Sequence, residues 1–84
     1  MGDESRDPQA TGQLEGRYAN VFQIGQNAFE FVLKFGQVSP ESGQVQFHTR
    51  IITGPVYVKT LLGTLGESIA HYEQTFGVIP KQEE

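Results

Sequence analysis

Two histidines, His48 and His71, are the side chains of this 84-residue chain best suited to bind a metal or to transfer a proton near neutral pH. A metal site needs about three converging ligands. The alternation of residues around His48 and the helical spacing around His71 predict that the two rings point to opposite sides of one chain. The chain has no cysteine, so neither a thiolate site nor a disulfide is expected. The sequence therefore predicts no metal and no cofactor, unless assembly brings histidines of several copies together.

Carboxylates are the second group of residues that could do chemistry. General acid–base catalysis needs a carboxyl group in a pocket that shifts its pKa. Here Glu30 has an expected cationic neighbour, Glu41 lies in a loop, and Glu67 and Glu73 lie on exposed or flanking parts of a helix. No Ser/His/Asp arrangement indicates a nucleophile. We therefore expect that a single chain is not an enzyme.

The run GTLGES, residues 63–68, has the glycines of a phosphate-binding loop. Such a loop requires a lysine followed by serine or threonine, and it lies between a strand and the start of a helix. No lysine follows this run, and both glycines fall in the middle of a predicted helix. The run therefore does not predict a nucleotide site.

Charge is distributed unevenly along the chain. Residues 1–16 and 80–84 contain six acidic and two basic residues, which accounts for the whole net charge of −4. Residues 17–79 are neutral and contain all nine aromatic residues. We predict a disordered polar tail at 1–16, a single domain at 17–79 and a disordered acidic tail at 80–84. The neutral domain argues against nucleic-acid binding. The absence of a long apolar run or a signal sequence argues against a membrane protein and for a cytoplasmic one.

Three strands and one helix are expected to position these residues. Alternating apolar residues predict strands at about 18–24, 28–36 and 45–53. Between the first two, a four-residue loop at 25–28 would place Ile24 opposite Phe29 and Phe22 opposite Phe31. Pairing Leu33 with Phe47 would then place Glu30 opposite Arg50, and it would direct Val45, Phe47, Thr49 and Ile51 inward.

The helix is predicted at about 55–76. Its apolar residues recur at intervals of four and three, which is one face of a helix: Val58, Leu62, Leu65, Ile69, Tyr72 and Phe76. Thr53 or Gly54 suits the N-cap, Pro55 suits the first helical position, and Gly77 followed by Pro80 suits the end. We predict an α+β fold, in which a three-stranded antiparallel meander is covered on its aromatic face by this long C-terminal helix.

Gly63 and Gly66 raise a question, because each costs about 1 kcal/mol relative to alanine inside a helix. With Ala70 they form a strip of small residues roughly 120° around the helix from the apolar face. Three interpretations stay open: a symmetry-related helix packs there, the glycines make room for phenylalanines of the chain's own sheet, or they are merely tolerated. Val21, Val32 and Ile52 form a second candidate interface on the outer face of the sheet.

Several short motifs together resemble a bacterial and archaeal family of domains of unknown function, number 3467. They are a Tyr-x-Asn at Tyr18 and Asn20, a Phe-x-x-x-Phe-Gly ending at Gly36, an Arg-Ile pair at 50–51, a Gly-Pro helix start at 54–55 and a closing Tyr-Glu-x-x-Phe-Gly at 72–77. The resemblance covers nearly all of 18–80 and implies no activity. The chain departs from the pattern at Gly63 and Gly66. Asn20, expected on the core side, is predicted to bond the backbone at an element's end, such as the helix start.

Together these features predict a non-enzymatic, homo-oligomeric protein-interaction module, a dimer or a tetramer. A domain of about 60 residues without disulfide or metal is marginal alone, which favours association. One alternative is a chaperone-like or peptide-binding module, because the order of elements is similar to that of the SecB export chaperones. A second alternative is a small-molecule or metal site assembled between subunits. An unidentified protein partner also stays open.

Overall fold

Three antiparallel strands form one open sheet, and a long helix follows them. The computed structural model describes residues 12–81; most of the predicted tails, residues 1–11 and 82–84, lies outside the described part. The strands lie in the order β1-β2-β3, and the elements are β1 Val21–Gln26, β2 Phe31–Val38, β3 Val45–Thr53 and α1 Pro55–Phe76. The α+β class and the meander are confirmed, and the bounds of β3 and α1 are those predicted.

The first hairpin pairs in a different register from the predicted one. Ile24 lies opposite Leu33 and Phe22 opposite Phe35, a shift of four residues along β2. Asn27 sets the turn, because its Oδ1 accepts hydrogen bonds from the backbone N–H groups of Phe29 at 2.7 Å and Glu30 at 2.8 Å. The Asn27 N–H also donates to Glu30 O at 3.0 Å, so side chain and backbone together close the turn. Phe29 is left at the tip, 81% exposed rather than in the core. Since the shift is even, strand residues keep their predicted faces.

The second hairpin is also shifted by four residues, because β2 continues through Gly36 to Val38. Leu33 therefore pairs with Ile51 rather than Phe47, and the predicted cross-strand pair of Glu30 and Arg50 does not form. The last residue of the strand predicted at about 28–36 was Gly36. In the structure it is a buried strand residue, and the loop begins only at Ser39, whose N–H and C=O bond to Gln44 and Gly43.

A β-bulge interrupts β3 at His48. Phe35 pairs with Thr49, and the next residue of β2, Gly36, pairs with Phe47. The extra residue reverses the faces of the first part of β3, so Val45 and Phe47 lie on the face opposite to Thr49 and Ile51. The prediction that all four point inward was therefore wrong for Val45 and Phe47. Lys34 Nζ lies 5.2 Å from the centre of the Phe47 ring, which agrees with this placement.

The two faces of the sheet differ in charge. We call one the aromatic face; its apolar residues include the edge-to-face pair Phe22–Phe35, with ring centres 5.8 Å apart, and Leu33, the one buried hydrophobic residue of 12–81. We call the other the charged face, because Lys34 and Arg50 lie directly opposite each other there. The apolar members of the aromatic face are Phe22, Ile24, Phe31, Leu33, Phe35 and Ile51.

The helix forms where predicted but does not pack across the aromatic face. It begins at Pro55 with Gly54 as the N-cap, and none of its 22 residues is buried. Leu62 is 69% exposed and Phe76 72%. A single residue, Gly54, links β3 to α1 in extended conformation. The predicted intrachain packing was wrong, although the elements themselves are correct.

The helix ends at Gly77, as its sequence indicated. Gly77 has φ 105° and ψ 168°, a conformation almost restricted to glycine, and its N–H donates to Glu73 O at 3.1 Å. The Glu73 carboxylate accepts a hydrogen bond from the Ile79 N–H at 2.9 Å. The chain after the helix is thereby fixed to its last turn.

Candidate functional site

The β-bulge joins two motifs that are far apart in the sequence. The Asn20 N–H donates to Gly36 O at 2.9 Å, and Asn20 Oδ1 accepts from the Val38 N–H at 2.9 Å. Asn20 therefore bonds the end of a strand rather than the helix start, and its side chain is exposed rather than on the core side. The Tyr-x-Asn and Phe-Gly motifs meet here, which gives both a structural role.

Gly36 is required at the bulge by close approach of β3. A Cβ atom at this position would contact Gln46 O and lie 2.7 Å from Phe47 Cα, closer than real Cβ atoms pack. Sequence reasoning missed this role because glycine is the commonest signal of a turn. The motif Phe-x-x-x-Phe-Gly was the one signal that placed Gly36 at a strand end.

His48 is bound within the fold rather than free to act as a ligand. Its Nε2 lies 2.9 Å from Tyr18 O, and its Nδ1 lies 2.7 Å from Thr49 Oγ1. A carbonyl oxygen only accepts, so Nε2 carries a hydrogen and donates to Tyr18 O. Both ring nitrogens are therefore occupied by hydrogen bonds within the chain.

The segment before β1 crosses to β3 at the bulge. Arg17 Nη1 donates to His48 O at 3.2 Å, and Arg17 Nε forms an ion pair with Glu15 at 3.3 Å. A depression open to solvent lies beside this crossing; it is lined by Glu15, Arg17, Tyr18, Gln37, Gln46, Phe47 and His48. His48 in this lining is held by the hydrogen bonds described above, and the Glu15 carboxylate is paired with Arg17.

Metal ligands do not converge in the described part of the chain. No group of three or more His, Cys, Asp or Glu residues within 12–81 is arranged to hold an ion. His71 is exposed on the helix, and the Glu73 carboxylate accepts a hydrogen bond from the Ile79 N–H just beyond the helix. No helix of residues 12–81 has both the length and the hydrophobicity needed to cross a membrane.

The strip of small residues on α1 faces open space. A Cβ atom added at Gly63 or Gly66 would meet no atom within 4 Å. The interpretation that these glycines make room for the chain's own phenylalanines is therefore wrong for this structure. Ala70 is exposed beside them. A symmetry-related helix and simple tolerance stay open as explanations.

The outer patch predicted from Val21, Val32 and Ile52 is split in two. Val32 and Ile52 are direct cross-strand partners. Val21 lies opposite Gly36, and the row formed by Gln23 and Lys34 separates it from the other two. The structure therefore supports a small apolar pair rather than a continuous patch on the charged face.

A further candidate surface is the apolar stripe of α1, which the sequence had assigned to packing within the chain. We define the helix stripe as Val58, Leu62, Leu65, Ile69, Tyr72 and Phe76. Five of its six residues are exposed, and Val58 at the helix start is half-buried. Tyr72 and Phe76 stack with ring centres 4.9 Å apart. No signal in the sequence separates a stripe that packs on its own sheet from one that packs on another chain, since both need the same residues.

The fold and these surfaces define a small α+β domain in which a meander is followed by a helix that stands free of it. The family described as "Protein of unknown function (DUF3467)" matches residues 6–81, and the chain belongs to this family. The resemblance of its motifs is thereby confirmed. No curated protein and no solved structure matches the chain significantly, so the likeness to SecB stays a prediction based on layout.

Proposed function

We propose that this chain is a non-enzymatic, homo-oligomeric interaction module, active as a dimer or tetramer. One observation carries the proposal: a 22-residue helix has no buried residue in the single chain. Five of the six residues of its apolar stripe are exposed, and contiguous exposed apolar surface often marks an interaction site.

The helix is poorly suited to stand alone. Isolated helices are marginal in water even when rich in alanine, and most helical stability in proteins comes from tertiary packing. Gly63 and Gly66 weaken this one by about 1 kcal/mol each. Its first turn lacks acidic residues, its last turn lacks basic ones, and Gly54 provides no side-chain cap. Contacts from outside the chain would supply the missing stabilisation.

A second copy is the partner best supported by the chain's own surface. The aromatic face exposes Phe22 and Ile24, each at 61%, and Ile51 at 46%. Each chain thus carries two apolar surfaces, one on the helix and one on the sheet. Two copies can cover both, whereas an unrelated partner would need a separate match to each.

The same proposal includes that the chain is not an enzyme. His48 uses both ring nitrogens in bonds to Tyr18 and Thr49, and the Glu73 carboxylate bonds a backbone N–H. Glu30, Glu41 and Glu67 are exposed. These contacts support a structural rather than a chemical role for the ionisable groups of 12–81.

Sedimentation velocity over about 1–500 μM tests the proposal. The full chain is expected to sediment as an oligomer, and Leu65→Lys on the helix stripe is expected to raise the dissociation constant at least 100-fold, because it would bury a charge. Thr64→Lys is the matched control: it adds the same charge one residue away, on the polar side of the helix, and leaves association unchanged. A strict monomer at high micromolar concentration would overturn the proposal.

A peptide-binding or chaperone-like role is the second candidate. Two features favour it: the cross-strand pair of half-buried Val32 and exposed Ile52 on the charged face, and the position of β1 and β3 at the edges of the sheet. Addition of an unfolded protein would then shift the amide resonances of Val32 and Ile52. If these resonances stay unchanged while sedimentation shows self-association, the first candidate is retained alone.

A further inference from the structure

We propose that the oligomer forms by reciprocal helix exchange, in which α1 of each chain packs its helix stripe on the aromatic face of a second copy. The inference rests on the proposed function and specifies the surfaces that meet. Both surfaces carry exposed apolar residues in one chain: Leu65 at 52% and Ile69 at 41% on the helix, and Phe22 at 61% on the sheet. At the centre of the aromatic face Leu33 is already buried by its neighbours in the sheet.

The link between strand and helix favours exchange over closure within the chain. β3 ends at Thr53 and α1 begins at Pro55. Gly54 between them is extended, with φ −86° and ψ 162°, and its carbonyl accepts hydrogen bonds from the N–H groups of Tyr57 and Val58 at 3.1 Å each. Pro55 further restricts rotation because its ring fixes φ. Short hinges of this kind favour the exchange of an element between copies.

The distribution of charge favours the aromatic face over the charged face as the docking surface for the helix stripe. Its members and the six residues of the helix stripe are all uncharged. The opposite face carries Lys34 directly across from Arg50, and the one ion pair among residues 12–81 joins Arg17 to Glu15 instead. An apolar helix docked there would remove two cations from water without a compensating charge, which is unfavourable.

Length and area also fit. A helix of 22 residues is about 33 Å long, and the nine-residue strand β3 is about 30 Å long. Eight large apolar side chains of the two surfaces are exposed in one chain. If each of them loses on the order of 100 Å² of accessible surface, two helix-on-sheet contacts bury on the order of 1,600 Å². Stable protein–protein interfaces bury about 1,200–2,000 Å², so the exchange supplies enough area for a lasting dimer.

Isotope-filtered nuclear Overhauser spectra of a mixture of ¹³C-labelled and unlabelled chains test the contact directly. The expected cross-peaks join methyl protons of Leu65 and Ile69 in one chain to ring protons of Phe22 and Phe35 in the other. The experiment needs no substitution, so it does not depend on a variant that folds poorly. Contacts between these groups only within one chain would overturn the exchange.

Lengthening the hinge provides a second test. Four residues, Gly-Ser-Gly-Ser, inserted after Gly54 allow the helix to fold back onto its own sheet, and we expect the dissociation constant to rise at least 100-fold. The control carries the same insertion between Glu41 and Ser42 in the β2–β3 loop and is expected to associate like the parent chain.

The outcomes separate the two levels of the proposal. A parent chain that is monomeric overturns both the proposed function and the exchange. A parent oligomer that lacks the helix-to-sheet cross-peaks and persists after hinge insertion overturns the exchange alone and leaves the oligomeric module in place. If the parent chain gives interchain cross-peaks and the hinge variant is monomeric, both the proposed function and the exchange are supported.

Discussion

The bulge end of the sheet and the C-terminal helix are stabilised in opposite ways. At the bulge, Asn20, Gly36 and His48 make specific bonds or close contacts with other segments of the same chain. Along α1, the side-chain hydrogen bonds within the described part are local, from Thr60 to Val56 O and from Thr75 to His71 O, and Glu73 bonds the residues just after the helix. The sheet is held by contacts within its own chain, while the apolar stripe of the helix is exposed.

This difference shows that a well-formed element is not the same as a packed one. The helix has its predicted bounds, N-cap and glycine end, because these depend on local backbone chemistry. Its stripe is exposed because burial depends on whether the connection allows the helix to reach a surface. Substitutions in the sheet should therefore change the free energy of unfolding of one chain, and substitutions in the helix should change association.

The largest effect is expected for Gly36→Ala. The added methyl group would clash with β3 backbone atoms, among them Phe47 Cα at 2.7 Å, and we expect a loss of about 4 kcal/mol in the free energy of unfolding. Urea denaturation followed by circular dichroism measures it. Gly25→Ala is the control: Gly25 lies in β1 with no atom within 4 Å of its Cβ position, and a change within about 1 kcal/mol is expected. Equal losses at both sites would contradict the requirement for glycine at the bulge.

The same substitution in the two regions gives the sharpest comparison. Leu33→Ala removes the buried leucine between Ile24 and Ile51, and we expect a loss of about 3 kcal/mol at every protein concentration. Leu65→Ala in the helix is expected to change the stability of the single chain by less than about 0.5 kcal/mol. Its effect should appear as a weaker association in sedimentation experiments. A large concentration-independent loss from Leu65→Ala would show that the helix stripe packs within one chain.

Gly66→Leu tests the strip of small residues. Nothing in the single chain occupies the space beside Gly66, and leucine is a better helix former by nearly 1 kcal/mol, so folding should not suffer. If another helix approaches this strip, the dissociation constant should rise about tenfold, which is about 1.4 kcal/mol. Thr64→Leu adds a leucine on the other side of the helix as a control. Unchanged association in both variants would leave simple tolerance as the explanation for the glycines.

Asn20→Ala should have a moderate effect on the sheet. The substitution removes the acceptor of the Val38 N–H at 2.9 Å but keeps the backbone bond from Asn20 to Gly36. Because the site is exposed and water can replace the amide, we expect a loss of about 1 kcal/mol. Hydrogen exchange at the Val38 amide should accelerate with it. Protection of that amide equal to the parent chain would contradict the assigned bond.

The smallest effect is expected for Arg50→Glu on the charged face. It replaces a like-charge pair with Lys34 by an opposite-charge pair, which is worth about 0.5 kcal/mol in a sheet. The gain should decline as salt is added, since exposed charges are screened. Arg50→Gln is the matched control and should show about half of the gain. A loss of stability with Arg50→Glu would place a carboxylate, rather than Lys34, next to Arg50.

The sequence by itself determined what depends on near neighbours along the chain. The alternation of apolar and polar residues predicted the three strands, and the spacing of apolar residues by four and three predicted the helix. Gly54-Pro55 and Gly77 marked the two ends of the helix. These features follow from backbone geometry and side-chain periodicity, which act over a few residues. The family motifs also located Asn20 and Gly36, although without their bonds. The outer patch was only partly predicted, because alternation gives the face of Val21 but not its distance from Val32.

The tertiary structure alone decided the register, the bulge and the position of the helix. The first turn, bonded by the Asn27 side chain, lies two residues later than predicted. β2 continues beyond Gly36, which shifts its pairing with β3 relative to the predicted register. In both places, hydrogen bonds between strands compete with local turn signals. The bulge at His48 then moved Phe47 to the charged face. In the structure a one-residue link at Gly54 leads from β3 into a helix whose apolar stripe is exposed, and the 4-3 spacing of that stripe does not reveal this position.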